Sequence, residues 1–245
     1  MVEMKLLIEF SLDKAELPKD YRRIFIHLFK TALSNANGGK YYENYYAAGK
    51  SKDYCWSVYL KNPIYTDKIV KLEDTRGKLY FSTSDKKTGF IFFAALMEQK
   101  KQILPIGNEN ALRILSVKQI AEERVRSSNV LIKMVSPLCI RSHNKERDYD
   151  FYYSIAHEEF EQESRRVLAY QLQNAGFSKE LAESVRLIPV NAKKVIVKFY
   201  ESLIESSLGF FELEGDPAVI NYLLQAGIGS RKSAGFGMCL LNAEG

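Results

Sequence analysis

The chain has 245 residues, room for one large or two small domains at roughly 150 residues each, and its 46% apolar and 27% charged content is that of a folded globular chain. No apolar run approaches the roughly 18 residues of a membrane span, and the opening MVEMKLLIEF carries two acids where a secretory signal would be basic, so a cytoplasmic protein without membrane association is expected. Thirty-five basic against 30 acidic residues leave a net charge of +5 and a pI near 8.9, which permits a polyanionic partner without requiring one.

Residues 4–11 (MKLLIEFS) are an apolar run of strand length. Residues 20–36 put Ile24, Leu28 and Thr31 with Phe25, Phe29, Ala32 and Leu33 on one helical stripe, with Pro18 and Asp20 at its start and Gly38 and Gly39 at its end. After a Tyr-rich stretch, residues 54–60 alternate as a strand, 78–84 form another, 90–98 read as a helix and 111–120 as a strand. The second half repeats the order: strand 130–140, helix 154–174, strands 194–200 and 208–213, helix 217–226, strand 236–241. The fold expected is α+β, two tandem ferredoxin-like βαββαβ units over residues 1–124 and 125–245. They join in the polar stretch 122–129, whose lack of Gly and Pro points to closely packed halves.

Cys55, Cys139 and Cys239 are odd in number and far apart, which argues against a disulfide framework and a zinc site, and His27, His143 and His157 are not spaced as metal ligands. No metal or cofactor is expected. The carboxylates Glu158, Glu159, Glu161 and Glu163 spread around a helix as a solvated face, with His157 beside them at the surface. Thirty aromatic residues supply core packing and rings on which a nucleobase can stack.

The strongest local signal is the segment from Gly227 to Met238, which holds four of the chain's 14 glycines at Gly227, Gly229, Gly235 and Gly237. It follows a helix and opens a strand, the reverse of a dinucleotide-binding turn, and its Lys232-Ser233 pair lacks the preceding glycine and following helix of a Walker loop. Two readings stay open. Either the bare backbone N–H groups cradle an RNA phosphate together with Arg231 and Lys232, or the glycines supply positive φ in a tight connection.

Closing a double ferredoxin-like chain, this segment through Leu241 resembles the C-terminal glycine-rich signature of the CRISPR-associated endoribonucleases that process precursor CRISPR RNA, within the RAMP superfamily. Residues 134–138 (MVSPL) look like the family's Ser-Pro segment, 152–172 like its following helix, and 20–33 with the Tyr-rich patch and 54–60 like its opening layout. The glycine-rich part is the most specific piece and is shared with noncatalytic RAMP proteins.

The resemblance implies metal-independent cleavage in which a ribose 2′-hydroxyl attacks the neighbouring phosphate, leaving a 2′,3′-cyclic phosphate and a 5′-hydroxyl. That reaction needs a proton acceptor, a proton donor and positive charge at the phosphate. In the family these groups come from the first helix and the segment after it, which here offer His27, Lys30, Tyr41, Tyr42, Tyr45, Tyr46, Lys50 and Lys52. Where many members carry a histidine, this chain has Tyr45 or Tyr46. The assignment is His27 for proton transfer, Lys30 with Lys50 or Lys52 for the phosphate, and Tyr45 for the ribose; the plainer reading of His27 is a packed helix residue. Lys193, Lys194 and Lys198 are expected to form, with Arg231 and Lys232, a groove for the repeat stem, and His143 to sit in a basic loop. The partner is precursor CRISPR RNA, with other effector subunits as further candidates and a monomer or homodimer as the assembly. A noncatalytic RAMP scaffold subunit is the alternative function.

Overall fold

Alternation decides the first strand: Met4, Leu6, Ile8, Phe10 and Leu12 of β1 (Met4–Leu12) are each at most 4% exposed in the computed structural model, and the residues between them are partly exposed. The structure describes residues 4–47, 52–121, 123–144, 146 and 148–242. The chain divides into two units, Met1–Glu122 with Lys198–Tyr200, and Glu123–Val197 with Glu201–Gly245.

In the first unit β1 is followed by β2 (Glu16–Pro18), α1 (Arg22–Asn35), the single turn α2 (Lys40–Tyr42), β3 (Tyr54–Leu60), β4 (Ile64–Tyr65), β5 (Ile69–Lys71), β6 (Arg76–Thr83), α3 (Lys86–Gln99), β7 (Ile103–Gly107) and β8 (Asn110–Ile120). The main sheet is antiparallel with order β3-β6-β1-β8-β7. Its first four strands with α1 and α3 are a ferredoxin-like unit. Strand β7 and the small sheet β2-β5-β4 are additions that the sequence periodicity did not show.

Helix α1 buries Ile24, Phe25, Leu28, Phe29, Ala32 and Leu33 of the predicted stripe and leaves Thr31 partly exposed at its edge. Phe29 is its centre, meeting the rings of Tyr54, Trp56, Phe81 and Phe92 edge-on at centroid distances of 5.5 to 6.5 Å. Truncating a ring so enclosed costs about 3–5 kcal/mol. Helix α3 starts four residues before the expected position because the Asp85 carboxylate caps it, accepting from the Lys87 and Thr88 backbone N–H groups.

The second unit runs β9 (Asn129–Met134), β10 (Ile140–Asn144), β11 (Tyr149–Tyr153), α4 (Phe160–Asn174), α5 (Lys179–Ser184), β12 (Arg186–Phe199), β13 (Ser202–Glu214), α6 (Pro217–Ala226) and β14 (Cys239–Leu241). The sheet order β12-β13-β9-β14 is again ferredoxin-like, with β10 and β11 a separate hairpin. Helix α6 has its predicted limits, with Asp216 as cap, Pro217 in the first turn and Gly227 at φ 81° ending it.

Three expectations are corrected. The strand expected over 130–140 stops at Met134, because the Val135 and Ser136 N–H groups both turn to the Met238 carbonyl and Pro137 has none to give. The helix expected from 154 starts at Phe160, since residues 149–153 are strand and the Ser154 N–H is taken by His157 Nδ1 in a turn. The last strand begins at Cys239 instead of 236, because the Gly237 and Met238 N–H groups go to the Pro137 carbonyl and Ser136 Oγ, and the Gly237 carbonyl accepts from Ile228.

Candidate active site

The apolar stripe of α1 fixes what its other face can offer. With Phe25, Leu28 and Phe29 inward, His27 stands exposed and Lys30 half-buried at the edge, so the packed-histidine reading does not hold. Both line an open cleft of about 440 Å³ with Asp20, Arg23, Ile106 and Tyr200.

After α1 the chain turns through Asn37, Gly38 and Gly39, all at positive φ, into α2 and a π-helical turn over Glu43–Ala47. That turn separates two neighbouring tyrosines. Thr88 gives its one hydroxyl hydrogen to Asp85 Oδ2 at 2.7 Å, so the Tyr45 hydroxyl donates to Thr88 Oγ1 at 2.8 Å, and the Tyr45 ring packs on Phe92 at 5.2 Å. Tyr45, predicted to hold the ribose, is tied to the start of α3. Tyr46 meets both lysines instead: Lys30 Nζ and Lys52 Nζ are each 5.2 Å from its ring centroid, within cation–π range. Its hydroxyl meets that of Tyr54 at 3.0 Å, and Tyr42 stacks on its ring. Burial pushes the Tyr46 phenol up to about 12, so it stays neutral at ordinary pH. Burial, and then the nearby Lys30 charge, lower the Lys52 ammonium below its usual value. Lys50 lies outside the described residues.

The glycine-rich loop faces inward. Gly227, Gly229, Gly235 and Gly237 are buried, at φ of 81°, 83°, 84° and 72°. The Gly229 N–H donates to Gln171 Oε1, that of Gly235 to the Lys232 carbonyl and that of Gly237 to the Pro137 carbonyl, while the Ile228 N–H donates to the Gly237 carbonyl. A Cβ on Gly237 would fall 2.1 Å from the Ile228 oxygen. The glycines therefore serve close approach and positive φ, and the expected backbone cradle is corrected. Arg231 donates to Asp150 at 3.0 Å and to the Tyr152 hydroxyl, and Lys232 is buried with its ammonium 6.0 Å from the Tyr222 ring.

Asp150 is a hub on the β10–β11 hairpin, also meeting Arg141 at 3.1 Å and His143 Nδ1 at 2.9 Å. Burial raises its pKa, but these hydrogen bonds, His143 first, outweigh it and hold the carboxyl below its ordinary value. His143 thus belongs to a strand, not a basic loop. Lys193, Lys194 and Lys198 are exposed on β12, with Lys194 3.5 Å from Glu205. Because β12 and β14 are opposite edges of the sheet, Lys193 and Lys194 and the loop that leads into β14 do not share one groove there. Among the described residues no group of three or more His, Cys, Asp or Glu side chains is arranged to hold a metal ion. No helix among them is long and apolar enough to cross a membrane.

Residues 120–241 match the family model described as CRISPR associated protein Cas6, C-terminal. The chain belongs to the Cas6 family. No curated protein matches it significantly by sequence. Among solved structures, this Cas6-family chain is similar to a Cas6-related protein of Pyrococcus furiosus, with 17% identity, full coverage of both chains and a TM-score of 0.85. It is also similar to a RAMP protein described as binding different RNA substrates, with 17% identity, 98% and 99% coverage and a TM-score of 0.83. A third likeness is to a Cas6 product complex, with 16% identity, 98% and 100% coverage and a TM-score of 0.72. At these identities the likeness is one of fold, the tandem ferredoxin-like architecture of RAMP proteins.

Tyr46 is the residue the sequence reading left as an alternative and did not assign. Its signal was the Tyr-rich patch itself, which fixes the region and not the direction of each ring.

Proposed function

We propose that this Cas6-family chain is an endoribonuclease that cuts CRISPR repeat RNA without metal, by attack of a ribose 2′-hydroxyl on the adjacent phosphate, leaving 2′,3′-cyclic phosphate and 5′-hydroxyl ends. Family membership supports the substrate class. The observation that carries the chemistry is the convergence of Lys30 and Lys52 on the ring of a neutral, half-buried tyrosine, with Lys30 one helical turn from an exposed histidine in an open cleft.

His27 and Lys30 are three residues apart and so share a helix face. His27, exposed in the cleft, takes the 2′-hydroxyl proton as the general base. Lys30 neutralises the charge that builds on the pentacovalent phosphate. Lys52, its ammonium made more acidic by burial and by Lys30, protonates the departing 5′-oxygen. Tyr46 holds the two ammonium groups in place and keeps its own proton for donation to a phosphate oxygen.

The test is incubation with the repeat RNA in excess EDTA beside the same RNA carrying 2′-deoxyribose at the cut. Cutting of the first alone is expected, and His27→Ala should slow it by roughly two to four orders of magnitude. Tight binding with neither RNA cut would replace the enzyme with the noncatalytic scaffold.

A further inference from the structure

Tyr200 sits at the turn between β12 and β13 with φ 53°, a left-handed conformation that bulky side chains seldom take. Three contacts hold it within the first unit. Its N–H donates to Asp20 Oδ2 at 2.8 Å, the Arg23 guanidinium lies 4.7 Å from its ring centroid, and Phe199 meets it edge-on at 4.7 Å. The backbone is pinned, yet the residue is 44% exposed and lines the cleft that His27 and Lys30 also line.

The walls of that cleft differ in chemistry. Its lining includes an aromatic ring and a guanidinium from Tyr200 and Arg23, apolar surface from Ile26, Pro105 and Ile106, and an imidazole and an ammonium from His27 and Lys30. The one carboxylate, Asp20, is engaged by the Tyr200 N–H and lies 3.9 Å from Arg23 Nε. A flat, aromatic, uncharged body joined to an anion matches this set: the base packs against the ring and the apolar wall, and the phosphate faces the cations. A volume of about 440 Å³ is within the range of small-ligand sites.

We propose that the cleft is a nucleobase subsite, in which Tyr200 with Arg23 holds the base of an unpaired nucleotide beside the cut and presents the adjoining phosphate to His27 and Lys30. The proposal rests on the RNA-cleaving reading and adds where a substrate base is gripped. Tyr200 is a binding residue in this account and transfers no proton.

The test measures binding of the repeat RNA made uncuttable by 2′-deoxyribose at the cleavage nucleotide, with the nucleotides on either side of the cut replaced one at a time by abasic residues. At one position, loss of the base should weaken binding to the parent chain on the order of 10-fold. Tyr200→Ala should weaken binding of the intact RNA by a similar factor and bind the abasic RNA no worse than the parent does, while Tyr200→Phe should stay near the parent. If Tyr200→Ala unfolds, as melting would reveal, Tyr200→Leu takes its place. Equal weakening toward intact and abasic RNA, no weakening at all, or RNA that does not bind would each overturn the subsite. Because nothing is cut in this assay, a chain that binds as described yet fails to cleave ordinary RNA would remove the proposed enzyme and leave the subsite standing.

Discussion

Tyr45 and Tyr46 are adjacent and serve different ends. Tyr45 donates to Thr88, which donates to Asp85, the cap of α3; Tyr46 turns its ring to Lys30 and Lys52. Tyr45→Phe is expected to lower stability by about 1 kcal/mol, the worth of one partly buried hydrogen bond, and to leave single-turnover cleavage unchanged. Tyr46→Phe keeps a ring beside the lysines but loses the phenol hydroxyl, and cleavage should fall on the order of 10- to 100-fold. Thermal melts and single-turnover rates on both variants check this, and the opposite pattern would return Tyr45 to the site. Lys52 yields a second expectation. If it protonates the leaving oxygen, the rate falls at high pH as Lys52 loses its proton, and does so below the pH at which an ordinary lysine would. Burial is the main cause and remains in Lys30→Gln, but the like charge is removed, so the alkaline limb of that variant should move to higher pH even as the rate drops. A limb that stays in place would take Lys52 out of the acid role. The family resemblance could name this group of residues, and helix spacing placed His27 and Lys30 on one face. Sequence could not tell Tyr45 from Tyr46, because a π-helical turn breaks the 3.6-residue period on which ring direction would have been read.

Elements with one buried face were legible, and those whose role depends on a partner far along the chain were not. β1, α1 and α6 declare themselves by alternation, apolar stripe or caps. The β10–β11 hairpin does not, since on one face it carries Arg141, His143, Asp150 and Tyr152, a polar set stabilised by Arg231 some 80 residues on. The glycine-rich loop was found by composition but its direction stayed open between two readings, because the acceptors of its Gly229 and Gly237 N–H groups, Gln171 and the Pro137 carbonyl, are also distant in sequence. The turn that starts α1 makes the same point with a consequence for pH. Burial raises the Asp20 pKa, against the Tyr200 hydrogen bond and the Arg23 charge, so folding favours its protonated form. Its contribution is then fully present below the unfolded carboxyl value and is lost as pH rises through the folded one. Asp20→Asn still offers an oxygen to the Tyr200 N–H without a charge to bury. It should melt at or above the parent temperature at neutral pH, with the difference shrinking in acid; Asp20→Ala, which loses the acceptor, should melt lower at both. A neutral-pH melt of Asp20→Asn below the parent would mean that the Arg23 pairing outweighs burial.

For the whole molecule, a net charge of +5 says little until the cations are sorted by what already holds them. Arg231 is paired with Asp150, Arg186 lies 3.1 Å from Glu161 and Arg166 2.6 Å from Glu163, so these cations have carboxylates in place of phosphates. Lys193 is exposed on edge strand β12 and Lys194 has only a long contact to a half-screened Glu205. The two groups should differ in a salt titration. Each phosphate contact contributes about 0.7 to the slope of log affinity against log salt for a single strand and about 0.9 for a duplex. If β12 borders the RNA path, replacing Lys193 and Lys194 by Gln should flatten the slope by roughly 1.4 to 1.8 without changing the melting temperature. Arg231→Gln should do the reverse, leaving the slope unchanged and lowering the melt, because it removes one of the cations that Arg141, His143 and Arg231 bring to Asp150 and a donor to the Tyr152 hydroxyl. A slope that responds to Arg231 and ignores the β12 lysines would place the RNA at the glycine-rich loop after all, with the Asp150 pair opening to admit it.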